Sequence, residues 1–270
     1  MKIFKNKNNL KKAIANKDIA FIPTMGSLHY GHKKLIAIAK KKSKSTLVSI
    51  FVNPKQFNSI YDFKRYPRNL KQDIKILKNL KVTFLYIPNF NQIYNFNTKY
   101  KVSLHKFKNK LCGKFRPGHF EGVLDVVNRF LEILSPKYMI LGKKDFQQMF
   151  LIKDHIKKNK IATKIIVHKI VRENNGVALS SRNKNLSTND MRIASKVFKY
   201  LKREKSNMKT KIKRININKL HNNIMKLGVK KIDYIELINL DTLKKPNRIY
   251  KKFNIFIAYY LGEVRLIDNV

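Results

Sequence analysis

The sequence predicts an α/β fold, a parallel sheet with helices on both faces followed by a smaller α+β region. Three observations carry that expectation. Short apolar runs alternate with stretches of helical spacing through the first two-thirds of the chain. The alternation stops near residue 176. Beyond it, a charged region of helical pattern precedes three apolar segments spaced like the strands of a small antiparallel sheet.

The first strand is expected at Ile19-Ala20-Phe21-Ile22, a buried-type apolar run bounded by Pro23 and Gly26. Further strands are expected at Thr46–Val52, Val82–Tyr86, Tyr138–Leu141 and Lys164–Val167. Helical patterns lie between them near 31–42, 69–80, 119–134 and 144–159. Such alternation argues for a doubly wound, Rossmann-like parallel sheet. Residues 188–227 read as helical, and Ile232–Leu237, Phe253–Ala258 and Val264–Ile267 as the antiparallel strands. The expected domains are therefore 1–175 and 176–270, with 202–220 the most polar and most mobile stretch.

Composition narrows the function. With 43% hydrophobic residues the chain can bury a core, and it contains no apolar run long enough to span a bilayer. Met1–Lys7 lacks the apolar core of a secretory signal. A lone cysteine, Cys112, cannot form an internal disulfide, so a cytoplasmic location is expected. The net charge of +44 raises the question of a nucleic-acid partner. The lysines, however, are spread evenly and travel with asparagine and isoleucine, as in Lys211–Lys219. Biased codon usage explains all three residue types together. Neither a specific nucleic acid nor a membrane is expected, only salt-sensitive polyanion binding.

Candidate chemistry gathers where strands give way to helices. Pro23-Thr24-Met25-Gly26-Ser27-Leu28-His29-Tyr30-Gly31-His32 runs from the first strand into a helix. Free amides at a helix N-terminus attract anions, and glycines let a phosphate approach. His29 and His32 can donate to phosphate oxygens, so the segment suits a nucleoside triphosphate. The second strand ends in Val52-Asn53-Pro54-Lys55-Gln56-Phe57, placing Asn53 and Gln56 where a polar substrate lies in a doubly wound sheet. Arg116-Pro117-Gly118-His119 reads as a shaped loop or, nearly as well, as an ordinary one. Gly142-Lys143-Lys144-Asp145 sits at another strand end, with Lys144 suited to phosphate and Asp145 to magnesium or ribose. Ser180, Ser181 and Arg182 can grip phosphate oxygens, or simply cap a helix.

Taken in order, these segments resemble the pantothenate synthetases, pantoate–β-alanine ligases of the His-x-Gly-His nucleotidyltransferase superfamily. The resemblance includes Pro23–Gly26, His29-x-Gly31-His32, Val48–Pro54, Gln56-Phe57, Tyr66–Arg68, Arg116–Phe120, Lys144–Gln148, Leu179–Asn183 and Leu261–Asn269. It departs at Tyr30, where the family often has an acid, and at Lys143, where it usually has Glu. Both positions bear on ATP affinity.

The resemblance implies ATP-dependent condensation of (R)-pantoate with β-alanine through a pantoyl adenylate, in coenzyme A biosynthesis. It implies catalytic His32, His29 and Lys144, with His32 as proton donor. For ATP it implies Met25, Gly26, Ser27, Leu28, His29, Tyr30, Gly31 and His32, then Gly142, Lys143, Lys144 and Asp145, then Val171, Leu179, Ser180, Ser181 and Arg182. Gln56 and Gln148 would hold pantoate, and Gln56 also β-alanine. It further implies a homodimer and a C-terminal domain closing over the site. Magnesium follows from triphosphate chemistry, without a dedicated metal motif in the chain. Another nucleotidyltransferase of the superfamily is the alternative.

Overall fold

The computed structural model describes residues 1–210, 216–246 and 252–270. In chain order the strands are β1 (Lys2–Phe4), β2 (Ile19–Thr24), β3 (Ser45–Ile50), β4 (Phe84–Tyr86), β5 (Tyr138–Gly142), β6 (Lys164–His168), β7 (Lys231–Asn239), β8 (Phe253–Leu261) and β9 (Val264–Asn269). The helices are α1 (Lys7–Ile14), α2 (Tyr30–Lys42), α3 (Ile60–Arg65), α4 (Leu70–Asn79), α5 (Phe90–Tyr94), α6 (Leu111–Phe115), α7 (His119–Leu134), α8 (Phe146–Lys158), α9 (Thr188–Thr210) and α10 (Ile217–Met225). Part of the expected helical stretch 188–227, and of the stretch expected to be mobile, falls at 211–215, outside the described residues.

The chain forms two compact units. The first comprises Met1–Lys108 and Arg116–Ile170, the second Asn109–Phe115 and Val171–Val270. The sequence reading divided the chain after residue 175 and kept 109–115 with the earlier part. In the structure α6 packs with β7 and β8 instead.

The first unit is built on a parallel sheet of order β1-β4-β3-β2-β5-β6. Side chains alternate across a strand, so neighbours in sequence face opposite layers. Ile22, Val48, Leu85 and Ile140 pack with Ile36 and Ala39 of α2 and Leu77 of α4. Phe21 and Tyr86 instead meet Phe130 of α7, at ring-centroid separations of 5.4 and 6.3 Å. Both faces are thus covered, which is why the strands read as continuous apolar runs. In the second unit β7-β8-β9 is antiparallel. Ala194, Val197 and Leu201 of α9, at helical spacing, join Leu220 and Ile224 of α10 to cover Leu237, Ile255 and Ile257.

Candidate active site

In the first unit, β2 lies between β3 on one side and β5 on the other. Chain order reverses there, and a crevice beyond the carboxyl ends of such strands takes ligands. The loops following β2, β3 and β5 carry His29 and His32, Gln56, and Lys144 in turn.

The loop after β2 is fixed by polar contacts. Thr24 Oγ1 donates to the Ser49 carbonyl at 2.6 Å and accepts the Gly26 N–H at 3.2 Å. Gly26 and Ser27 have φ of +78° and +52°, both in the left-handed region. The Asp73 carboxylate of α4 accepts Ser27 N–H at 2.8 Å and Leu28 N–H at 2.7 Å, so these two amides are engaged within the chain. Asp73 is only 2% exposed.

The two histidines follow at once. His29 caps α2, its Nδ1 accepting the Gly31 N–H at 3.1 Å. His32 Nδ1 accepts the His29 N–H at 3.2 Å. The ring centroids are 4.1 Å apart. A nitrogen that accepts an amide proton carries none itself. In the neutral ring the proton therefore sits on Nε2, which makes both imidazoles Nε2–H donors. Tyr30 between them is exposed, with Lys34 Nζ 4.9 Å from its ring centroid.

Beyond β3, Asn53 is almost wholly buried and its amide is engaged within the protein. Nδ2 donates to the Gly122 carbonyl at 3.0 Å and toward Gln56 Oε1 at 3.4 Å. Its Oδ1 accepts the Tyr94 hydroxyl at 2.9 Å and the Lys55 N–H at 3.3 Å. Asn53 thus stabilises the Asn-Pro turn, capping Pro54–Gln56 and bracing Gln56. Burial raises the Tyr94 pKa and keeps its hydroxyl protonated as the donor.

Gln56 is held from several sides. Its Nε2 contacts Met25 Sδ at 2.9 Å, joining this turn to the loop after β2. Its carbonyl accepts His119 Nδ1 at 2.7 Å and Arg116 Nη2 at 3.3 Å. Arg116 Nη1 lies 3.1 Å from His119 Nε2, which fixes that ring as the Nδ1–H tautomer. The segment Arg116–His119 is thus a shaped clamp rather than an ordinary loop.

After β5, a single helical turn covers Lys143–Asp145. Lys144 Nζ lies 3.7 Å from Asp145 Oδ1. Gln147 is buried and donates to the Phe107 carbonyl at 2.7 Å, while Gln148 is half-buried. Gly142 is in register with His168 at the end of β6. Burial lowers the His168 pKa, and the nearby Lys169 and Lys34 lower it further.

Val171, Leu179, Ser180, Ser181 and Arg182 belong to the second unit. Leu179 N–H donates to the Val171 carbonyl at 3.0 Å. Ser180 Oγ accepts the Arg182 N–H at 3.3 Å, at the start of a turn that packs beside β9. Among the described residues no group of three or more His, Cys, Asp or Glu could hold a metal ion.

Sequence reasoning missed Asp73, Tyr94 and His168. For Asp73 a signal exists, since it lies four residues before Leu77 and so shares a face of α4 with a core residue. His168 ends a strand on the site's side of the sheet.

Residues 2–270 match the family model "Pantoate-beta-alanine ligase". The pantothenate synthetase of Francisella tularensis subsp. novicida is 42% identical over 257 residues, covering 95% of this chain and 90% of that protein. The crystal structure of a Francisella tularensis pantoate-beta-alanine ligase, complexed with beta-gamma ATP and beta-alanine, superposes with a TM-score of 0.83 at 40% identity, covering 100% of this chain and 97% of that one. The pantothenate synthetase of Thermus thermophilus gives a TM-score of 0.89 at 29% identity, covering 100% of this chain and 99% of that one. With a family model spanning nearly every residue, a 42% identical relative matched over 95% of the chain and the same architecture, the chain belongs to the pantoate–β-alanine ligase family.

Proposed function

We propose that the protein condenses (R)-pantoate with β-alanine at the expense of ATP. One observation carries the reading: a pair of Nε2–H imidazoles at the start of α2 stands on the loop that Gln56 touches through Met25. This contact supports reading the donor pair as binding phosphate and Gln56 as lying beside the acid. That the Francisella ligase was crystallised with beta-gamma ATP and beta-alanine supports the same substrates here.

In the first step the pantoate carboxylate attacks the α-phosphorus. Pyrophosphate leaves and pantoyl adenylate forms. Negative charge grows on the phosphoryl oxygens, where His29, His32 and Lys144 supply donors and positive charge. In the second step the β-alanine amine attacks the acyl carbon, AMP leaves with the bonding pair, and the amine loses a proton. Gln56 and Gln148 hold the acid, and Gln56 also orients β-alanine. Keeping the adenylate bound between steps excludes water from it. Magnesium belongs to this reading as part of the nucleotide substrate. A cytoplasmic homodimer completes it, by family resemblance.

The test incubates purified protein with ATP, magnesium, pantoate and β-alanine. Pantothenate, AMP and pyrophosphate are expected in equal amounts, with AMP released only when β-alanine is present. A nucleotide that stays attached to the product would point to a transferase of the same superfamily instead.

A further inference from the structure

Gly26 and Ser27 both have positive φ, and the two amides that follow, Ser27 N–H and Leu28 N–H, are directed at a single anion. Here the anion is supplied by the chain itself. Asp73 reaches from α4 and takes the Ser27 and Leu28 amides, one on each carboxylate oxygen. The fit is close: a Cβ on Gly26 would lie 2.9 Å from Asp73 Oδ2 and 3.1 Å from Ile50 Cγ2. Gly26 is therefore required both by its positive φ and by the carboxylate beside it. Ser27, which has a Cβ, needs an external hold to stay left-handed, and the bidentate acceptor provides one.

We propose that Asp73 is a positioning residue for adenylation, setting the shape of residues 25–28 and through it the direction of the His29 and His32 Nε2–H donors. The proposal rests on the reading above. Its logic is continuous in the chain. Leu28 precedes His29, and the His29 N–H is itself the proton that orients the His32 ring. Releasing Ser27 and Leu28 would let that backbone turn and carry both rings with it. The buried carboxylate also turns phosphate away from these two amides, leaving the imidazole donors to meet it.

Three variants test this: Asp73→Asn, Asp73→Glu and Gly26→Ala. Asparagine keeps the size but offers one acceptor and a competing N–H₂ to two amide donors. Pyrophosphate release is measured per folded molecule, well below each melting temperature. For Asp73→Asn, kcat is expected to fall about 100-fold, as for misplaced catalytic groups, with the pantoate KM changed less than about twofold and partial recovery in Asp73→Glu. A purely structural carboxylate would lower the melting temperature and leave kcat per folded molecule within about threefold, which overturns the proposal. Should Asp73→Asn fail to fold, Gly26→Ala decides, since it crowds the carboxylate without removing it. A comparable loss of kcat supports the proposal, and wild-type kcat overturns it. Absence of pantothenate from the wild-type reaction would refute the functional reading separately. ATP affinity by calorimetry then still tests Asp73, with an approximately tenfold weakening in Asp73→Asn expected and an unchanged value overturning it.

Discussion

The side-chain amide of Asn53 donates to the backbone carbonyl of Gly122 at 3.0 Å, pinning the turn that carries Gln56 to the first turns of α7. No Cβ fits at position 122. One would stand 2.2 Å from the Lys55 carbonyl oxygen and 2.8 Å from Gln56 N, both backbone atoms.

Gly122→Ala is therefore expected to push the Gln56 turn off the helix. Overpacking of this kind costs about 1–3 kcal/mol. The pantoate KM is expected to rise about tenfold, the equivalent of roughly 1.4 kcal/mol, with the ATP KM much less affected. Steady-state kinetics in each substrate checks this. Equal KM values in variant and parent would show that the turn does not place the acid.

His32 has two separable roles, and two substitutions divide them. Asparagine can keep an acceptor near the Nδ1 position and preserve the bond to the His29 N–H, while lacking any group at Nε2. His32→Asn should melt close to the parent and lose about 10²–10³ in adenylation rate. His32→Ala should lose that rate and, in addition, about 1 kcal/mol from the missing cap. A His32→Asn protein with full activity would leave the ring with only its capping role.

The neighbouring glutamines of α8 should behave oppositely. Gln148 is half-buried, whereas Gln147 is 5% exposed and bonded to the Phe107 carbonyl. Gln148→Ala is expected to raise the pantoate KM with little change in melting temperature. Gln147→Ala is expected to lower the melting temperature, because the Phe107 carbonyl loses its donor at a cost of about 1–3 kcal/mol. Reversed results would exchange their roles.

In the second unit, Arg265 Nε donates to Asp233 Oδ2 at 2.7 Å, and the Asp233 side chain is 3% exposed. Arg265→Met removes that carboxylate's short partner and leaves only Lys231, 3.8 Å from the other oxygen, so a cost of about 1–3 kcal/mol is expected. Cys112 Sγ lies 3.2 Å from the Tyr234 hydroxyl in the same cluster. Cys112→Ser should cost about 1 kcal/mol or less and leave turnover unchanged, because the proposed chemistry uses no thiol. Chemical denaturation measures the first and the coupled assay the second. Abolished turnover in a stable Cys112→Ser protein would call for a thiol step.

Stability should also fall on mild acidification. His155 is fully buried, its Nε2 2.9 Å from Asn128 Oδ1 and its Nδ1 3.2 Å from Asn159 Nδ2. Burial lowers its pKa, with Lys158 acting in the same sense and Asp154 and Glu132 opposing. His168 is shifted the same way. A histidine with a lowered folded value stabilises the fold above its unfolded value of about 6.5 and loses that contribution as pH drops below it. The melting temperature should hold level between pH 7 and 8 and decline below about 6.5. His155→Gln should flatten part of that decline, and an unchanged slope would assign it elsewhere.

The strands of the first sheet that were legible in the sequence are those packed on both faces, because double burial writes an uninterrupted apolar run. β1 escaped because Lys2-Ile3-Phe4 is a short edge strand, largely exposed and too brief to show a period. The helix α1 buries only Leu10 and Ile14, too thin a stripe to stand out. The histidines and Gln56 were legible because glycine, proline and strand ends mark their positions. Asp73 shows only its place on the buried face of α4, four residues before Leu77, while its partners 45 and 46 residues away leave no local trace. The clamp of Arg116 and His119 on the Gln56 carbonyl spans 60 and 63 residues and is equally invisible to local pattern.

The second unit draws Asn109–Phe115 from the middle of the first, and this has a consequence in time. Cys112 meets Tyr234 across 122 positions. At about 5–20 residues per second, a ribosome needs roughly 6–24 s to make that interval. Leu111 and Cys112 leave the exit tunnel long before β7 exists to receive them. The segment therefore completes its packing only after most of the chain has been made, although it is synthesised among residues of the first unit.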